Sequence, residues 1–154
     1  MTAMASKFSL SVYPWVYVAQ FEESGAWSAR FVEQEHHTPD EEAAMNAADH
    51  EALLVERNWI QGLPLVNYTT QYGFGCFEGL KAFPQPDGSL KIFRPEENAT
   101  RMFRSMEGLQ MPALPQEMFL EAVTGTVARN KDLGFAPAYD AAWEKNNFLG
   151  ADSV

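Results

Sequence analysis

The run Gln71-Tyr72-Gly73-Phe74-Gly75-Cys76-Phe77-Glu78-Gly79-Leu80-Lys81-Ala82-Phe83 is the densest stretch of the chain. Glycines at 73, 75 and 79 let its backbone turn tightly or approach a ligand closely. Two readings fit it. In one, Tyr72 and Phe77 line an apolar pocket, with the tyrosine hydroxyl as a polar handle. In the other, the run is a glycine-kinked strand whose aromatics fill the core. Its last five residues set the local fold. Gly79–Phe83 and Ser89–Phe93 flank Pro86-Asp87-Gly88, a turn-forming triplet, and this predicts a hairpin.

Toward the C-terminus the period changes from two to 3.6. Pro95 suits the first position of a helix, and Glu96 and Glu97 suit its positive end. Ala99, Met102, Phe103 and Met106 then recur at the spacing of one buried helical face. Pro115 opens a last helix with Met118, Phe119, Ala122, Val123 and Val127 on one side. Gly125 weakens that helix by about 1 kcal/mol relative to alanine. Past Gly134 the periodicity fades.

Toward the N-terminus, Gly62-Leu63-Pro64 breaks a preceding helix. That helix starts at Thr38-Pro39-Asp40-Glu41, where Thr38 caps, Pro39 takes the first position and Glu41 completes a capping box. Its alanine-rich body extends to about residue 56. The surrounding block, 33–60, is acidic, only weakly amphipathic, and reads as a peripheral insertion. Before it, residues 8–19 read as a strand interrupted by Pro14. Glu22–Gly25 is a turn, and Trp27–Val32 is the returning strand. The sum is α+β: a mostly antiparallel sheet with helices packed on one side.

Composition narrows the function. At 154 residues the chain is long enough for one domain with a core and too short for two large ones. With 11 Lys+Arg against 21 Asp+Glu, it carries a formal charge of −10, which disfavours nucleic acid or an anionic membrane as partner. Cys76 is the single cysteine, so neither an internal disulfide nor a thiolate zinc cluster forms, as suits a reducing compartment. No signal peptide or membrane span is legible, and the expected location is the cytoplasm. His36-His37 ahead of Asp40 and Glu41 suggests a metal only weakly, because adjacent side chains diverge; a solvated turn before the helix is the plainer reading.

A second candidate for chemistry is Phe93-Arg94-Pro95-Glu96-Glu97-Asn98-Ala99-Thr100-Arg101-Met102. Arg101 lies opposite the predicted core face. Its guanidinium can hold a phosphate through two parallel hydrogen bonds. It can equally form an exposed i,i+4 pair with Glu97, worth about 0.3–0.5 kcal/mol.

Taken in order, Tyr-Gly-x-x-x-Phe-Glu-Gly-Leu-Lys-Ala-Phe, Asp-Gly, Phe-Arg-Pro-Glu-Glu-Asn-Ala-x-Arg-Met and Met111-Pro112 resemble branched-chain aminotransferases of the class IV, D-amino-acid-transaminase-like group. The match is close over about residues 63–130 and loose over 8–32. It implies the small domain of such enzymes over 1–134, with 33–60 as an acidic helical insertion. Residues 135–154 would be a linker, or the start of a large domain that is missing. It implies pyridoxal 5'-phosphate (PLP) as cofactor, with Arg101 on its phosphate. It places Tyr72 and Phe77 in the substrate pocket, with Gly79 and Glu78 in structural roles. The implied substrates are leucine, isoleucine or valine and a 2-oxo acid, and the implied assembly is a homodimer.

The departures are as informative. Gln71 stands where the family often has histidine. The family's Schiff-base lysine, its glycine-rich phosphate turn and its pyridine-nitrogen acid lie in a second domain after these motifs. No catalytic residue is therefore assigned here. Lys81, Lys91, Lys131 and Lys145 qualify by residue type alone, since a Schiff-base lysine needs a desolvated site. Two alternatives stay open: a non-catalytic dimerisation or binding module on the same scaffold, and a related class IV enzyme such as a D-amino-acid transaminase or an aminodeoxychorismate lyase.

Overall fold

The structure is a computed structural model that describes residues 13–57, 67–136 and 138–140. Strand β1, Trp15–Phe21, pairs antiparallel with β2, Trp27–Glu33, in the register Trp15↔Glu33 to Phe21↔Trp27. Gly25, at φ 82°, donates to the Glu22 carbonyl and closes the connection. Tyr17 and Phe31 face each other across the ladder, ring centroids 4.9 Å apart and edge to face. Pro14 lies immediately before β1. Residues 8–12, the first part of the predicted strand, lie outside the described residues.

The capping box is present as expected. Thr38 Oγ1 accepts from Glu41 N–H, and the Glu41 carboxylate accepts from Thr38 N–H at 2.8 Å. The predicted single helix is nevertheless two, α1 (Pro39–Ala44) and α2 (Ala47–Arg57). The reason is Asn46. Its side-chain oxygen accepts from the N–H groups of Ala48 and Asp49 at 3.0 Å each, so it restarts the helix where alanine content alone implied continuity. The predicted break at Gly62–Pro64 lies outside the described residues.

A short helix, α3 (Tyr68–Tyr72), is capped by Asn67 and ended by Gly73 in the left-handed region at φ 66°. The hairpin of β3 (Ala82–Pro84) and β4 (Leu90–Ile92) follows, tightened by Gly88 at φ 77° and by Asp87, whose side chain accepts from Ser89 N–H. Helix α4 spans Pro95–Gly108 and α5 Gln116–Asp132. The α+β class holds, with one correction. Among the described residues the two hairpins are separate two-stranded sheets rather than parts of one. Hairpin signals are local, whereas joining two hairpins needs an edge-to-edge pairing that no period in the sequence encodes.

Helix α5 organises the core, packing against both α4 and β1. Ala99 and Met106 of α4 and Phe119 of α5 are buried; Met102 and Phe103 are only half-buried. Asn130 ties α5 to β1: its side chain accepts from Trp15 N–H at 3.0 Å and donates to Trp15 C=O at 2.9 Å. Gly125 is more than a weak point in the helix. A Cβ there would lie 2.2 Å from Phe31 Cζ, so the missing side chain is what lets β2 approach. Arg129 then stacks its guanidinium 3.6 Å from the Phe31 ring centroid.

The described part of the acidic block is internally fastened. Arg57 and Glu42 are both buried and paired through both Nη atoms; Arg57 Nε donates to Glu35 C=O at 2.9 Å. The same guanidinium lies 5.6 Å from the ring of Phe135, just after α5. Among the described residues, no helix is long and apolar enough to cross a membrane.

Candidate functional site

Residues 76–79 run alongside α4, and alternation sorts their side chains. Cys76 Sγ lies 3.9 Å from Met102 Sδ, Glu78 bonds to Arg101, and Phe77 between them is 94% exposed. Tyr72, at the end of α3, is 75% exposed and stacks at a tilt on Tyr68, 6.2 Å between centroids. Both aromatics singled out in the sequence therefore stand on the surface, and the reading of this run as a core-filling strand is overturned. The cause is Gly73, which ends α3 in a left-handed turn. No ladder is present over 73–81.

Arg101 does not pair with Glu97. Glu97 instead accepts from Arg94 at 2.8 Å, a contact set up by the left-handed Arg94 backbone at φ 47°. Arg101 grips Glu78: Nε to Oε2 is 2.6 Å and Nη2 to Oε1 is 2.5 Å. Glu78 Oε1 also accepts from Asn98 Nδ2 and from Gly79 N–H, each at 3.0 Å. Asn98 further donates to Gly79 C=O at 3.1 Å, so Gly79 is held from both sides. Asn98 and Arg101 share a helix face by their i,i+3 spacing. That spacing was visible in the sequence, but nothing there named Glu78 as the partner, 23 positions from Arg101.

The electrostatics follow. The Arg101 hydrogen bonds, helped by Asn98 and Gly79 N–H and opposed by burial, hold the Glu78 carboxyl at about 2, well below the usual carboxylate range. Burial is unequal across the pair: the Glu78 side chain is 7% exposed and that of Arg101 64%. The carboxylate is saturated by four donors, while the guanidinium has used two of its five N–H groups. What faces solvent is a donor set suited to an anion.

A groove of about 400 Å³ lies elsewhere, between β1, the 80–82 segment and α5. Its walls are mainly Val16, Leu80, Ala82, Ile92, Val123 and Val127, and none of Arg101, Tyr72 and Phe77 lines it. Lys81 reaches its rim but is exposed, as are Lys91 and Lys131; Lys145 lies outside the described residues. Among the described residues no three His, Cys, Asp or Glu side chains group as a metal site. His36 Nδ1 instead lies 3.1 Å from Gln34 C=O.

No family model matches the chain. Individual proteins do. A chloroplastic branched-chain-amino-acid aminotransferase 5 of Arabidopsis thaliana is 53% identical over 83 residues, 54% of this chain and 20% of its own length. A branched-chain-amino-acid aminotransferase of Haemophilus influenzae is 49% identical over 61 residues, 40% of this chain and 18% of its own. Transaminase htyB of Aspergillus rugulosus is 46% identical over 74 residues, 47% of this chain and 18% of its own. The chain thus spans about a fifth of the length of the curated relatives it matches. By sequence, it is a partial relative of the branched-chain-amino-acid aminotransferases, matching them over about half of its own residues.

Proposed function

We propose that residues 1–134 form the small-domain part of a class IV, PLP-dependent branched-chain transaminase that acts in the cytoplasm. It would move the amino group of leucine, isoleucine or valine to 2-oxoglutarate. The observation that carries this reading is the Glu78–Arg101 pair, saturated on its carboxylate and open on its guanidinium. The three remaining donors fit a phosphate monoester, whose oxygens accept parallel N–H bonds. Arg101 would hold the cofactor's phosphate. When bound, PLP supplies an electron sink for the substrate's α-carbon.

The chain's other residues have roles in binding rather than proton transfer. Tyr72 and Phe77 offer exposed aromatic surface on which a branched aliphatic side chain can shed water. That surface is also suited to a subunit contact, in keeping with a homodimer. The lysine, the glycine-rich phosphate turn and the acid at the pyridine nitrogen would come from a large domain. Residues 1–154 by themselves would therefore not turn over. Because one relative is named only as a transaminase, a second reading stays open, a related aminotransferase with another amino acid as donor.

A PLP titration followed by leucine tests the proposal, read by cofactor absorbance with borohydride trapping and peptide mapping. The expected result is no leucine-dependent conversion by the chain alone, and leucine transamination on co-expression with a large-domain chain. A saturable absorbance band that leucine converts, mapping to one lysine of this chain, would overturn the division of labour. Failure of complementation with leucine, but success with another amino donor, would favour the second reading.

A further inference from the structure

Building on the reading of Arg101 as a phosphate ligand, we infer that Glu78 is a positioning residue: it fixes the guanidinium plane so that three N–H donors are presented together to a phosphate monoester. The inference rests on how the carboxylate is itself fixed. Gly79 N–H and Asn98 Nδ2 bind Oε1 from the loop and from α4, each at 3.0 Å, so Glu78 is anchored before it meets Arg101. Its grip is bidentate, on Nε and Nη2, which sets the guanidinium's rotation as well as its position. Arginine has much side-chain freedom to lose, and a side chain already held loses less on binding.

A competing physical effect runs the other way. A carboxylate beside the guanidinium weakens its field for any incoming anion. Two facts decide for positioning. Every Glu78 oxygen is engaged by donors, so its charge is spread over Asn98 and Gly79 as well as Arg101. And Arg101, 64% exposed, would otherwise be free to sample solvent on a long flexible stem.

The test follows the Arg101 Nε–H resonance of the ¹⁵N-labelled chain, assigned by its absence in Arg101→Lys. Inorganic phosphate, PLP and phosphate-free pyridoxal are titrated separately. In the wild type the signal is expected to be resolved without ligand, and to shift saturably with phosphate and PLP but not with pyridoxal. Glu78→Ala should broaden it and weaken phosphate affinity about five- to tenfold. Glu78→Gln, which keeps an acceptor, should fall between and decides the matter if the alanine variant does not fold. Unchanged or tighter phosphate binding in a folded Glu78 variant would overturn the positioning role and leave Arg101 as a ligand. A wild-type signal that ignores both phosphate and PLP would overturn the reading of Arg101, and the inference with it.

Discussion

Among the described residues two arginine–glutamate pairs are bidentate, and they differ in what surrounds them. Arg57–Glu42 is closed: both side chains are buried, Arg57 Nε is spent on the Glu35 carbonyl, and Phe135 lies over the guanidinium. Arg101–Glu78 is open: only the carboxylate is buried, and three arginine donors are left over. The chemistry of the two contacts is the same. The closed pair is part of the fold, because breaking it strands a charge away from water. The open pair costs less to disturb, because its guanidinium is solvated and its carboxylate keeps Asn98 and Gly79 N–H as donors, and it has capacity left for a ligand.

The largest expected effect attacks the closed pair. Glu42→Ala takes the carboxylate away from the buried Arg57 guanidinium and should lower unfolding free energy by about 3–5 kcal/mol in a denaturant titration. A loss below about 1 kcal/mol would mean that Arg57 finds water, and the contrast between the pairs would collapse. Next comes the packing around β2. Gly125→Ala places a methyl group into Phe31 and should cost about 1–3 kcal/mol, net of the better helix propensity of alanine. A stabilised variant would show that Phe31 moves aside freely.

The open pair should show itself in acid. The folded-state pKa of Glu78, about 2, lies below its ordinary value of 4.5. Its contribution to stability is therefore fully present above pH 4.5 and is lost as pH falls through about 2. Because Arg101 is mostly exposed, screening limits that contribution to on the order of 1 kcal/mol. Comparing wild type with Glu78→Gln between pH 6 and pH 2 isolates it. Stability curves that stay parallel throughout would remove the ion pair as the cause. The smallest effect belongs to Phe77→Ala. At 94% exposure the side chain should contribute less than about 0.5 kcal/mol to stability, so any substantial loss of Tm would place it in a folded contact instead of a binding surface.

Local chemistry was legible in the sequence because it depends on neighbours along the chain. The Thr38–Glu41 capping box, the Gly25 and Gly88 turns and the proline starts of α4 and α5 were all read from short windows, and all are present. The ordered motifs from Tyr72 to Arg101 likewise pointed to the aminotransferase relatives. What sequence alone could not settle were partners distant in the chain and surfaces sorted by packing. The restart of a helix at Asn46 depended on which way one side chain turned. Gly125 looked like a weakness until Phe31, 94 positions earlier, was brought against it. Asn130 carried no signal, yet it binds both polar groups of the Trp15 backbone. Arg101 was legible as a phosphate ligand or a surface ion; only the fold supplied Glu78, buried its carboxylate and left the guanidinium in solvent. Residue type and spacing fix what a side chain can do. The tertiary structure decides which of its donors are already taken, because hydrogen-bond capacity is finite and burial determines what remains exposed.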